Sequence, residues 1–339
     1  MYDLRLKSSS VEYAVMIGSF SKGEVCMKKV VLFADPGIDD TFAIIYALSS
    51  PDIQLMAVVT GFGNVSKEDA TKNAAYILSL AGREDIPVIT GASRPLTGEY
   101  EPFYPEIHGE DGIGPVQIPE SFTYAAKPFS SILDITSSNK DLYFVDIGRN
   151  TSMALSFNLY PFIKESIKEV YLMGGAFLVP GNVTEIAEAN FHGDPTATNF
   201  VLESGLPVYV APLNVTQYAQ LKEEHIRLLA QKSKNPFKNI FKPIFDFYQA
   251  AYEKLQPDLE GVPLHDLYTL YLLSNLKNTT IIQKKIFIST DKPTQGFTYA
   301  DFRNMENEPK SNHFININFK YEDYVKNVLS ILLEEIKGK

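Results

Sequence analysis

Three aspartates, Asp35, Asp39 and Asp40, fall within six residues in the segment DPGIDD. Carboxylates this close repel one another unless something positive sits among them. A hard cation is the simple partner, because calcium and magnesium take oxygen ligands. Gly37 lets the backbone turn sharply and approach a ligand closely. The plainer reading is that Asp39 and Asp40 only charge and cap the start of a helix. A second chemistry-bearing pair, His265-Asp266, stands at another expected helix start. A histidine there can give a proton to a leaving group near neutral pH, and an ordinary capping pair would look the same. Tyr248 and Tyr252 are four apart and share a helix face, either beside a ligand or as core aromatics.

These residues must be placed by strands and helices. Lys29–Ala34 is a short apolar run with paired valines, followed by a turn, and reads as a buried strand. Asp39–Ser49 reads as helix, Ile53–Thr60 as strand, Lys67–Ala81 as amphipathic helix and Ile86–Thr90 as strand. That alternation is the mark of a parallel sheet covered on both faces. Residues 91–127 are rich in proline and glycine, and a loop that long is usually functional, often a lid; Phe103 and Tyr104 are expected in it. The alternation then resumes with strands at Leu142–Ile147, Glu169–Met173 and Pro207–Ala211. Helices are expected at Thr151–Asn158, Pro195–Ser204, Phe237–Leu255 and His265–Leu273. Thr280–Ser289 and Gly296–Ala300 are expected to pair as a late hairpin. His313–Phe319 alternates like a half-buried strand, and Tyr321–Ile336 closes the chain as an amphipathic helix. The expected architecture is α/β: a single doubly wound domain with a mostly parallel central sheet, helices on both faces and the late β-hairpin. In such sheets ligands bind beyond the carboxyl ends of the strands. The polar and glycine-rich segments fall at those ends: DPGIDD (35–40), TGFGN (60–64), GRNTS (148–152), MGGA (173–176) and PLNVT (212–216).

Composition narrows the function classes. The chain has 339 residues, 45% apolar and 21% charged, so it is neither disordered nor fibrous. Its formal charge is −10, from 31 basic and 41 acidic residues, with no long basic run. That argues against nucleic acid as a partner. No apolar run reaches the roughly 18 residues of a membrane span. The one cysteine, Cys26, excludes intramolecular disulfides and cysteine-based zinc sites, and a reducing cytoplasm is the natural compartment. Residues 1–27 are aperiodic and make a poor signal peptide. We expect them to be an N-terminal extension, either disordered or a mis-assigned start before Met27, with the domain spanning 28–339. Neither a dinucleotide fingerprint nor a P-loop is completed anywhere.

VVLFADPGIDDTFAI resembles the N-terminal signature of the calcium-dependent nucleoside hydrolases of the inosine-uridine type. Later segments agree in order: TGFGNVS (60–66), HGEDGIG (108–114), MGGAFLVPGNVTEIAEAN (173–190), DPTA (194–197), PLNVT (212–216) and PLHDL (263–267). The resemblance covers roughly residues 28–335. It implies hydrolysis of the N-glycosidic bond of a ribonucleoside, the small-molecule substrate, to ribose and free base. It implies Ca2+ held by Asp35, Asp40, the Thr151 carbonyl and Asp266, with Asp35 also the general base. Asp39, Asn64, Met173, Asn182, Glu188 and Asn190 fall on sugar-binding positions; amides and a carboxylate suit a polyhydroxyl ligand. His265, with Tyr248 and Tyr252, matches the leaving-group side, and His108 matches a histidine near the site. A homodimer or homotetramer is implied by resemblance alone. The absence of tryptophan favours an inosine/uridine or pyrimidine-preferring branch over purine-restricted relatives, which stack the base between tryptophans.

The chain also departs from the pattern. Phe33 stands where the family has its first Asp, Ala189 where an aromatic is common, and Asn214 where an Asp is usual. Arg149 and Asn150 replace Pro or Gly and Leu. These changes keep open a non-catalytic or weakly active nucleoside-binding protein. A phosphatase of the haloacid dehalogenase type is a further rival, but it needs D-x-D, and here the strand ends Phe33-Ala34-Asp35.

Overall fold

The computed structural model describes residues 27–97, 103–303 and 310–336. The expected leader, and part of the expected lid, lie outside the described residues.

Strand β1 (Lys28–Ala34) is built from KKVVLFA, whose β-branched centre is buried on both faces, as a central parallel strand requires. Helix α1 (Ile38–Ser49) follows, then β2 (Ile53–Thr60), α2 (Lys67–Leu80) and β3 (Val88–Thr90). The short helices α3 (Pro105–His108) and α4 (Ile132–Ser138) lead to β4 (Leu142–Asp146), α5 (Thr151–Leu159) and β5 (Ile167–Met173). Next come α6 (Ala189–Gly193), α7 (Pro195–Leu202), β6 (Val208–Ala211), α8 (Leu213–Thr216) and β7 (Gln220–Leu221). Then follow α9 (Glu223–Lys232), α10 (Lys238–Leu255), β8 (Val262–Pro263), α11 (His265–Ser274) and β9 (Thr279–Gln283). The chain continues through β10 (Ile286–Ile288), β11 (Thr298–Ala300), β12 (His313–Phe319) and α12 (Tyr321–Leu332).

The central sheet has eight strands in the order β3-β2-β1-β4-β5-β6-β12-β9. All neighbours are parallel except β12 and β9. Alternate residues of β1 feed two separate cores. Val30 and Leu32 join α1, α10, α11 and α12, while Val31 and Phe33 join α5 and α7. Helices therefore cover both faces, as expected. The late hairpin needs correcting. Thr279–Gln283 adds to the edge of the main sheet against β12, and only Ile286–Ile288 pairs with Thr298–Ala300. Two lysines, Lys284 and Lys285, separate the two short strands.

The strand order reverses direction at β1, whose neighbours are β2 on one side and β4 on the other. Loops leave the carboxyl ends of β1 and β4 in opposite directions and open a crevice between them. Asp35 follows β1, and Asp146 closes β4 at the same level.

Candidate active site

Asp35 sits at the crevice floor, 1% exposed. The backbone closes tightly around it. A Cβ added to Gly63 would lie 1.8 Å from Asp35 Oδ2, so only glycine fits there. The Asn64 N–H donates to that same oxygen at 2.6 Å. Asp40 is fully buried, and its carboxylate ties the turn: Oδ1 accepts from Asp35 N at 3.1 Å, and Oδ2 accepts from Gly37 N at 3.0 Å and Asn64 Nδ2 at 2.9 Å. The acidic turn is therefore folded by its own third aspartate.

Asp266, in the first turn of α11, meets this turn from a distant part of the chain. Oxygens of Asp39, Asp40 and Asp266 all lie within 4.8 Å of one another, and all three residues are buried. Asp39 Oδ1 and Asp35 Oδ1 are buried and lack a protein hydrogen-bond partner. Burial first, then like charges, pushes Asp35 and Asp266 well above the ordinary carboxylate range. The same causes raise Asp39 to about 7, and burial also raises Asp40. Buried carboxylates this close either hold protons or hold a cation. The oxygen-only donor set fits a hard divalent ion. Asp39, expected on the sugar, stands inside this convergent group. Asp35 stands beside it rather than among the three.

Thr151 begins α5, after Asn150 in a left-handed conformation (φ 63°). Its hydroxyl donates to Asp194 Oδ2 at 2.6 Å. Asp194 also accepts from Leu96 N at 2.8 Å and, through Oδ1, from Ala197 N at 3.0 Å.

The expected sugar residues separate into two groups. Asn182 is exposed on the rim, with Oδ1 accepting from Ala189 N at 2.9 Å, and it lines a cavity of about 240 Å³. Glu188 instead caps α6: Oε1 accepts from Asn190 N at 2.8 Å, and Oε2 from Gly175 N at 2.9 Å and Phe191 N at 3.1 Å. Asn190 is braced in place. Its Nδ2 donates to the carbonyls of Ile147 at 2.9 Å and Met173 at 3.2 Å, and its Oδ1 accepts from Arg149 Nη1. Arg149 is itself buried, under the ring of Tyr104 at 5.8 Å. Its guanidinium faces the charges of Asp35, Glu188 and Asp40, so the departure at Arg149 places a buried cation among the site's acids.

The residues expected on the leaving-group side are brought together by α8, α10 and α11. His265 Nε2 is 3.1 Å from the Tyr252 hydroxyl, and Nδ1 is 2.8 Å from Thr216 Oγ1. Tyr248 packs edge-on against Tyr252 at 4.9 Å, and the ring of His108 lies 5.7 Å from Tyr248. Tyr252 and His265 line the same 240 Å³ cavity as Asn182. Burial lowers His265 to about 4, so its ring is neutral at pH 7. Burial thus takes the ring below the near-neutral range of a free histidine, the range from which its proton-giving role is expected. His108 gains a role: its Nδ1 accepts from Ile38 N at 3.1 Å, which pins the loop helix α3 to the start of α1. Burial and the Arg149 charge lower it to about 3.

The departures have physical accounts. Phe33 packs in the core, 5.2 Å from Phe144. Asn214 accepts from Phe177 N at 2.9 Å and donates back to the Phe177 carbonyl, a two-way bridge that an aspartate has no proton to complete. Asp146 was not singled out by any motif. The available signal was an acid closing the apolar run of β4, as Asp35 closes that of β1. No helix among the described residues is long and apolar enough to cross a membrane.

Comparison with known proteins agrees with this architecture. Residues 30–326 match the family profile described as inosine-uridine preferring nucleoside hydrolase. Uridine nucleosidase 1 of Arabidopsis thaliana is 33% identical over 254 residues, 74% of this chain and 75% of that protein. Pyrimidine-specific ribonucleoside hydrolase RihA of Salmonella paratyphi A is 33% identical over 277 residues, 80% of this chain and 88% of that protein. Among solved structures, the purine-preferring ribonucleoside hydrolase from Gardnerella vaginalis superposes with a TM-score of 0.82 at 30% identity, covering 90% of this chain and 98% of its own. The plant nucleoside hydrolase PpNRh1 gives 0.83 at 27%, covering 90% and 99%. Fold, site and relatives together define an enzyme of the N-glycosyl hydrolase class. The chain belongs to the inosine-uridine preferring nucleoside hydrolase family, a metal-dependent one.

Proposed function

We propose that the protein hydrolyses the N-glycosidic bond of uridine-, cytidine- or inosine-type ribonucleosides to ribose and free base, with calcium as its resident ion. The observation that carries this reading is the convergence of buried Asp39, Asp40 and Asp266 beside Asp35 at the switch point of the sheet. We assign Asp40, Asp266, Asp35 and the Thr151 carbonyl to the ion, with Asp39 close enough to share in holding it or to take a ribose hydroxyl. When bound, calcium supplies charge that makes a water easier to deprotonate and anchors sugar hydroxyls.

The chain's own residues do the rest. Asp35 has one oxygen held by the Asn64 N–H and one without a protein partner, so it can take a proton from an attacking water without losing its position. Asn64 orients Asp35 and Asp40 together. Asn182 offers its amide donor from the rim. On the far side, the Tyr252 hydroxyl can give its proton to the departing base, with the phenolate left behind held by a hydrogen bond from Nε2–H of the neutral His265 ring and Thr216 fixing that ring. The relatives' printed substrates include uridine, pyrimidine ribonucleosides and purines. The absence of tryptophan supports the inosine/uridine or pyrimidine-preferring branch for this chain over a purine-restricted one.

The test is free-ribose release from uridine, cytidine, inosine and adenosine, with calcium and after exhaustive chelation, with Asp35→Ala alongside. We expect release that needs both calcium and Asp35. Folded, calcium-loaded protein that releases ribose from none of the four would move the assignment to a nucleoside-binding protein.

A further inference from the structure

Asp146 ends β4 one strand away from Asp35, and the ladder register sets it opposite Phe33. It is 2% exposed. Its Oδ1 accepts from Gly148 N at 3.0 Å, while Oδ2 is buried without a protein hydrogen-bond partner. Asp35 Oδ1 is in the same condition. The two residues line one small cavity of about 10 Å³, together with Gly148, Arg149 and Thr151. That is about the space one water needs, and a water requires two or more polar partners. One water donating a hydrogen to each carboxylate satisfies both oxygens and fixes the rotation of Asp35.

We propose that Asp146 is a positioning residue for the cation site, bracing Asp35 from the adjacent strand through the polar cavity they share. Phe33, where the family signature carries an aspartate, is committed to the aromatic core and offers no oxygen. The carboxylate stands across the ladder instead. The inference rests on the calcium reading above and goes beyond it, because it concerns a residue outside the ligand set. Partners behind metal ligands commonly set 10–100-fold of metal affinity.

The experiment is calcium titration by calorimetry of the full chain, comparing wild type, Asp146→Ala and Asp146→Asn. Each variant's thermal midpoint is measured in chelator. Asp146→Asn keeps an acceptor for the Gly148 N–H but loses the second carboxylate oxygen. We expect both variants to bind calcium about 10–100-fold more weakly, with the Asn variant's midpoint in chelator unchanged. Wild-type affinity in both variants would overturn the proposal. So would weakening by Ala but not Asn, since the turn at Gly148 would then be the cause. If the Ala variant fails to fold, the Asn variant decides alone. Wild type that takes up no calcium would overturn the metal reading and this inference with it, and is distinguished from the other outcomes by the wild-type titration.

Discussion

Arg149 donates from Nη1 to the amide oxygen of Asn190, and both side chains are buried. The other end of that amide is bonded to the Ile147 and Met173 carbonyls. Asn190 is therefore a strut across the pocket wall, joining the ends of β4 and β5 through its own bonds. Truncating Arg149 to Ala leaves a buried acceptor unpaired, which costs about 1–3 kcal/mol. Asn190→Ala should cost a similar amount. The double variant should lose clearly less than the sum, because the shared bond is counted once. Denaturant midpoints of the four proteins check this. Strict additivity would mean that the pair is not coupled.

The position of Asp39 separates two roles. A ligand's removal should cost more calcium affinity than the 10–100-fold typical of outer partners. We expect losses above about 100-fold for Asp40→Asn and Asp266→Asn, on the scale set by those outer partners. If Asp39→Asn loses as much, it holds the ion. Retained calcium affinity with weakened nucleoside binding would place Asp39 on the sugar.

Stability in chelator should depend on pH in an unusual direction for carboxylates. Burial and neighbouring charge raise Asp39 to about 7 and push Asp266 up as well, and burial raises Asp40. The folded state then holds these protons more tightly than the unfolded chain. Their contribution is complete below the unfolded value, near pH 4, and is lost as pH rises through about 7. We expect the thermal midpoint in chelator to fall between pH 5 and 8. Calcium at 100 times its Kd should add about 2.7 kcal/mol and flatten that slope. A flat profile in chelator would show that the cluster stays ionised without an ion.

Leaving-group help should depend on the leaving group. His265→Ala and Tyr252→Phe should each slow uridine hydrolysis by about 10²–10⁴-fold, the usual range for a positioned acid. Each should slow p-nitrophenyl riboside far less, and the double variant should resemble the singles. Equal slowing on both substrates would remove the pair from that role.

Much of the fold can be read along the chain because its central strands are short apolar runs with helix patterns between them. β1, β2, β4 and β5 fall within two residues of where the pattern puts them. The hairpin near residue 290 misled because pairing is a long-range choice: β9 pairs with β12, about 35 residues away, and leaves only β10 to pair with β11. Helix α9 escaped notice because only Ile226 and Leu229 of its ten residues are buried. In the site, acid density pointed to the turn at Asp35. Burial was not legible there, and burial sets the charge of His265 and His108. Nor could residue type reveal that Glu188 spends its oxygens capping α6, or that Asn190 is bonded on both sides.

Asp194 gathers the Leu96 backbone, the Thr151 hydroxyl and the first turn of α7 on one carboxylate. The stem of the proline-rich loop and the floor of the pocket thus share a single fastening. Any displacement of that stem is felt at Thr151 through two hydrogen bonds in series, so the rim of the crevice and its base keep a common register.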